Sequence, residues 1–117
     1  MAFPLNVTVA SAVRTAVGRA NKGALKHTRP DDLAAAAMQA AVDRVDGLDA
    51  ARIDDVILGC AMPEGEQGLN IARNAVFLTS LPDTVPGETI NRFCASGLQA
   101  IAHAAQNIQS GTMDVVL

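Results

Sequence analysis

The 117-residue chain has no Trp and no Tyr, and its aromatic content is three Phe. A core without large polar-tipped rings must be close-packed from Ala, Val, Ile, Leu and Met, which suits helices laid tightly on a sheet. The stacking platforms that single-stranded nucleic-acid binders use are missing as well. So is a block of one charge sign: nine Lys and Arg against twelve Asp and Glu give a net charge of -3, spread along the chain. No basic stripe tracks a phosphate backbone, and nucleic acid is not an expected partner. Isolated basic residues remain able to meet a phosphorylated small molecule.

Cysteine is scarce. Cys60 and Cys94 stand thirty-four positions apart, and the chain opens without a basic region followed by a long apolar run. The expectation is free thiols in a reducing, cytoplasmic setting, with no disulfide framework. No stretch approaches the ~20 apolar residues that a membrane helix needs. Half of the residues are nevertheless hydrophobic, enough for one small globular domain with a core of useful size.

The apolar pattern alternates between strand and helix. Leu5 to Ala10, Val-rich and set behind Pro4, reads as a buried strand. Arg14 to Arg29, with Gly18, Gly23, Lys22, Lys26 and His27, reads as a loop. Thr28-Arg29-Pro30-Asp31 sets a hydroxyl and a carboxylate three residues apart, which predicts a capped helix start. The helix carries a stripe of Leu33, Ala34, Ala37, Met38, Ala41, Val42 and Val45 and stops at Gly47. Asp55 to Cys60 reads as a strand covered on both faces. After a loop containing Pro63 and Gly65, Ile71 to Leu78 reads as a short helix ending before Pro82.

Gly87 to Asn91 is a brief strand, and Ala95 to Gln109 a third helix with Leu98, Ile101, Ala102, Ala105 and Ile108 on one face and Gly111 as its stop. Asp114 to Leu117 opens a last strand with no turn after it, so residues 1–117 are expected to form one incomplete domain. Strand and helix in this alternation define the α/β class, with crossovers in a mostly parallel sheet.

Cys94 follows a strand and precedes a helix, where unsatisfied amides and the positive end of the helix dipole favour a thiolate. The same amides suit the oxyanion that forms when a thioester carbonyl is attacked. Ala95, Ser96 and Gly97 leave room for a substrate. A free cysteine is equally at home as buried packing, so the residues alone leave both readings open. Cys60, in an apolar run without charged neighbours, reads as packing.

Neither histidine serves as a base for Cys94. His103 lies nine residues further along, about 13.5 Å by helical rise, and His27 sits in the first loop, where it reads as a solvated side chain with a substrate contact as the lesser alternative. Asp31-Asp32 and Asp54-Asp55 read as a helix cap and a strand-entry turn. Gly65, Gly68 and Gly87 form no phosphate cradle, and no cluster has metal-ligand spacing.

The ten residues Asn91-Arg92-Phe93-Cys94-Ala95-Ser96-Gly97-Leu98-Gln99-Ala100 resemble the active-site block of thiolases. Val13-Arg14-Thr15-Ala16 with Gly18-Arg19, the stretch Gly65 to Arg73, and Val85-Pro86 extend the resemblance over nearly the whole chain. It implies the layered α/β/α/β/α thiolase fold, of which this chain is most of the first half. Cys94 is the implied acylated nucleophile, its backbone amide an oxyanion donor, and coenzyme A a co-substrate with no permanently bound cofactor.

The histidine of a Gly-His-Pro motif and the cysteine of a Cys-x-Gly-x-Gly motif complete the family's site in its second half. Neither motif occurs in these residues. The Gly-Glu-Gln-Gly-Leu-Asn segment and Arg92-Phe93 resemble degradative 3-ketoacyl-CoA thiolases more than acetoacetyl-CoA ones. A homodimer or homotetramer is implied, with the strand before Cys94 pairing with its counterpart. Two alternatives stand beside this: a thiolase-like binding protein without turnover, and a redox-sensing pair of Cys60 and Cys94, which lack CxxC spacing.

Overall fold

The computed structural model describes residues 7–117. Five named elements follow in order: α1 (Pro30–Asp43), β1 (Ile57–Gly59), α2 (Ile71–Val76), β2 (Glu88–Ile90) and α3 (Ser96–Ser110). β1 and β2 pair in parallel, with Ile57, Leu58 and Gly59 opposite Glu88, Thr89 and Ile90. On the other side of β1, Val116 bridges Asp55 in parallel, and Ile57 N–H donates to Leu117 C=O at 2.8 Å.

Both sheet faces are covered, as the apolar run through Val56, Ile57 and Leu58 requires. Successive side chains on a strand point to opposite faces. Val56 and Leu58 accordingly join Met38, Ile53, Ala75, Val76, Leu81 and Val85 on the side of α1 and α2. Ile57 turns the other way, with Ile90, Ala100, Ala104 and Val116, under α3. The result is helix, sheet, helix: the α/β class holds.

Several expectations are corrected. Leu5 and Asn6 lie outside the described residues, and Val7 to Ala10 form no strand; Val9 is 75% exposed. A cavity of about 290 Å³ is lined by Thr8, Ala10 and Ser11 together with Val115 to Leu117, and no ladder hydrogen bonds join the two segments among the described residues. Thr28 does not cap α1. Pro30 occupies the first helical position and moves the cap to Arg29, which makes no side-chain cap bond. Asp31 pairs instead with the Arg29 guanidinium at 2.9 Å.

α1 also ends at Asp43, four residues before Gly47, which takes a left-handed turn conformation at φ 76°. Asp114 to Leu117 is a single bridge and not a full strand. Its anchor is Asp54, whose Oδ2 accepts from the backbone N–H groups of Asp114 at 2.7 Å and Val115 at 3.0 Å.

Candidate active site

The site begins with how α2 and β2 are tied together. Asn70 caps α2: its Oδ1 accepts from Arg73 N–H at 3.3 Å and from Thr89 Oγ1 at 2.7 Å. Its Nδ2 donates to Gly87 C=O at 2.7 Å. Thr89 Oγ1 in turn accepts from Ala72 N–H at 3.1 Å. Gly87 has no room for a side chain, because a Cβ there would stand 2.7 Å from Arg73 N. Arg73 closes the approach to β2 by donating to Val85 C=O and Asp83 C=O, with its guanidinium over the Phe77 ring. These contacts fix the strand that delivers the cysteine.

Between β2 and α3 the chain makes a tight turn. Phe93 has φ 47°, a left-handed conformation unusual for a residue with a Cβ, costing roughly 1–3 kcal/mol that the surroundings must offset. Asn91 Oδ1 accepts from Phe93 N–H at 2.8 Å, and Ala95 N–H donates to Arg92 C=O at 3.1 Å. Ser96 Oγ accepts from Arg92 N–H at 2.9 Å and donates to Phe93 C=O at 2.6 Å. Cys94 sits at the crest of this turn with an exposed thiol, two residues before α3 begins.

The other predicted residues have their own surroundings. Cys60 is buried, with its thiol 3.8 Å from Gln67 Oε1. His27 is exposed in the first loop. His103 is seven residues into α3 from Ser96, about 10 Å along the axis, and its Nδ1 lies 4.0 Å from Glu88 Oε1. His103 therefore lies away from Cys94, as its position along the helix leads one to expect. Glu88 belongs to another group of charges: buried Asp55 lies near it, and burial first, then the Glu88 charge, pushes the Asp55 carboxyl up.

The apolar stripe of α3 is exposed at its first two positions, with Ala102, Ala105 and Ile108 half-buried. Leu98 is 73% and Ile101 64% exposed, while Ser96 and Ala100 are buried. Small residues on the inner face let α3 approach β1 closely: a Cβ on Gly59 would stand 2.5 Å from the carbonyl carbon of Ser96. Leu98 and Ile101 thus stand exposed, as expected of an apolar helix face that chain outside these residues would cover. Among the described residues no helix is long and apolar enough to cross a membrane.

Cys94 is thus exposed on a strained turn between strand and helix. The family described as "Thiolase, N-terminal domain" matches residues 7–117, and the chain belongs to the thiolase family. It is 50% identical over 109 residues to a 3-ketoacyl-CoA thiolase of Bacillus subtilis (strain 168), covering 93% of this chain and 28% of that relative. It is 46% identical over 112 residues to a 3-ketoacyl-CoA thiolase of Yersinia pestis (strain Pestoides F), covering 96% of this chain and 29% of the other.

A crystal structure of the Bacillus anthracis acetyl-CoA acetyltransferase superposes with a TM-score of 0.84 at 42% identity, over 92% of this chain and 27% of that one. The chain thus spans less than a third of the length of these relatives.

Proposed function

We propose that this chain is the amino-terminal part of a thiolytic acyltransferase and supplies its nucleophile, Cys94. The supporting observation is the exposed Cys94 thiol on a turn whose backbone is held by Asn91 and Ser96. The relatives named 3-ketoacyl-CoA thiolase favour 3-ketoacyl-CoA as the substrate. The Cys94 thiolate attacks the keto carbon, and the bond from that carbon to the thioester-side carbon breaks. The electron pair leaves with the acetyl-CoA fragment, which is protonated there. Free coenzyme A then attacks the acyl-enzyme, releasing a shortened acyl-CoA and the Cys94 thiolate.

The base that activates Cys94 and the acid that protonates the leaving carbon are proposed to come from outside these residues; His103 is turned to Glu88. Coenzyme A acts as co-substrate, not as a permanently held cofactor. The Cys94 amide is proposed as an oxyanion donor, and residues 1–117 as one part of a larger domain. The assembly proposed is a dimer or dimer of dimers in which β2 adds to a second copy. Cytoplasmic fatty-acid breakdown fits this chemistry.

Cys94→Ser tests the reading in the full-length protein. The change is nearly isosteric and a hydroxyl is a far poorer nucleophile at neutral pH, so thiolysis should disappear while the fold persists. Retained turnover contradicts it. A wild-type protein that binds acyl-CoA without turnover would be a thiolase-like binding protein instead.

A further inference from the structure

We infer that Ser96 is a positioning residue that holds Cys94 in its attacking place; this rests on the reading of Cys94 as nucleophile. Ser96 is 3% exposed, and its hydroxyl does two things at once. It accepts from Arg92 N–H at 2.9 Å and donates to Phe93 C=O at 2.6 Å, gripping the two residues that precede Cys94. Those two bonds bracket Phe93, which is held at φ 47°. A side chain with a Cβ leaves that conformation unless its surroundings over-determine it.

Asn91 supplies the other restraint, accepting from Phe93 N–H at 2.8 Å. Gly59 packs closely on the Ser96 main chain, where a Cβ would stand 2.5 Å from the carbonyl carbon, and so fixes the backbone that carries the hydroxyl. Loss of the hydroxyl therefore leaves Arg92 N–H without its partner and frees Phe93 to relax toward negative φ. The peptide joining Phe93 to Cys94 then rotates, and the thiol moves with it. The change is local to the turn that carries the thiol, so the chemical step should suffer more than binding.

The full-length enzyme tests this with four variants: Ser96→Ala, Ser96→Ala with Phe93→Gly, Asn91→Ala and Cys94→Ser. Ser96→Ala should lower kcat by about ten- to a hundredfold, the scale expected for an ångström-sized misplacement, with KM little changed and Cys94 alkylation slowed in parallel. Phe93→Gly in the same background should restore much of the loss, because glycine holds positive φ without strain. A kcat at the wild-type level in Ser96→Ala overturns the inference. So does a loss that Phe93→Gly leaves unrepaired.

If Ser96→Ala does not fold, exposed Asn91→Ala takes its place: a smaller kcat loss at steady KM supports the inference, and an unchanged kcat overturns it. The Cys94→Ser arm keeps the two readings apart. Turnover surviving there removes the nucleophile, whereas its loss alongside an unimpaired Ser96→Ala removes the positioning role alone.

Discussion

Gly59 and Ser96 meet main chain to main chain: a Cβ on Gly59 would lie 2.5 Å from the Ser96 carbonyl carbon and 2.6 Å from Gly97 N. The end of β1 thus sets how near α3 can come, and with it where the Cys94 turn stands. Gly59→Ala should cost about 1–3 kcal/mol as overpacking against backbone, and Cys94 should be alkylated more slowly. Thermal unfolding and peptide mass spectrometry read both; a variant with wild-type Tm and labelling rate would show that the contact yields easily.

Asn70 is the link between α2 and β2, through Arg73, Thr89 and Gly87. Asn70→Ala removes a helix cap and leaves partners unpaired, for an expected loss of about 1–2 kcal/mol. Denaturant unfolding at neutral pH measures it, and a loss below the experimental error would mean that water replaces all three bonds.

The adjacent carboxylates Asp54 and Asp55 should respond to pH with opposite signs. The Val115 and Asp114 amides hold the Asp54 carboxyl below its ordinary 3.8. Its contribution is present above that value and lost as pH falls through the lowered one. Asp54→Asn should therefore destabilise at neutral pH. Burial pushes Asp55 above 3.8, so its contribution is present below that value and lost as pH rises through the raised one. Asp55→Asn, which can still accept from Val56 N–H, should raise Tm at neutral pH and lose that advantage in acid. Tm against pH from about 3 to 8 covers both windows; shifts of the same sign for both variants would contradict the assignment.

The side of β2 turned away from β1, unpaired among the described residues, carries the assembly proposal. Glu88 N–H donates to Val56 C=O, and Ile90 C=O accepts from Cys60 N–H. Backbone groups alternate sides along a strand, so Thr89 between them directs its N–H away from β1. Thr89→Pro removes that donor but also breaks the Oγ1 bonds to Asn70 and Ala72. Thr89→Val keeps the N–H and loses the same side-chain bonds. Light scattering on the full-length protein should find Thr89→Val assembled and Thr89→Pro dissociated; equal behaviour of the two would remove β2 from the interface.

Much of the architecture is legible in the sequence because its signals are local. Pro30, Gly111 and the apolar run at Val56 to Leu58 each act within a few residues, and α1, α3 and β1 fall where those features point. Cys94 is legible as a residue between strand and helix. Other parts depend on partners far along the chain. Asp54 holds Asp114 and Val115 sixty positions away, and Asn70 meets Thr89 nineteen positions away. No local pattern announces either.

The left-handed Phe93 has no sequence signal of the kind glycine gives, since Asn91 and Ser96 impose it. The stripe of α3 shows that a face is apolar but not which neighbour covers it. Leu98 and Ile101 are turned away from the sheet, leaving the small residues Ser96 and Ala100 to pack there.

The most direct test of the central claim traps the acyl group. Full-length protein incubated with 3-ketoacyl-CoA and no added coenzyme A, quenched in acid and digested, should carry a thioester-linked acyl group on the peptide containing Cys94. Buried Cys60 should carry none, and Cys94→Ser protein should carry none at either position. An acyl group on Cys60, or full turnover with no acyl group on Cys94, would contradict the account.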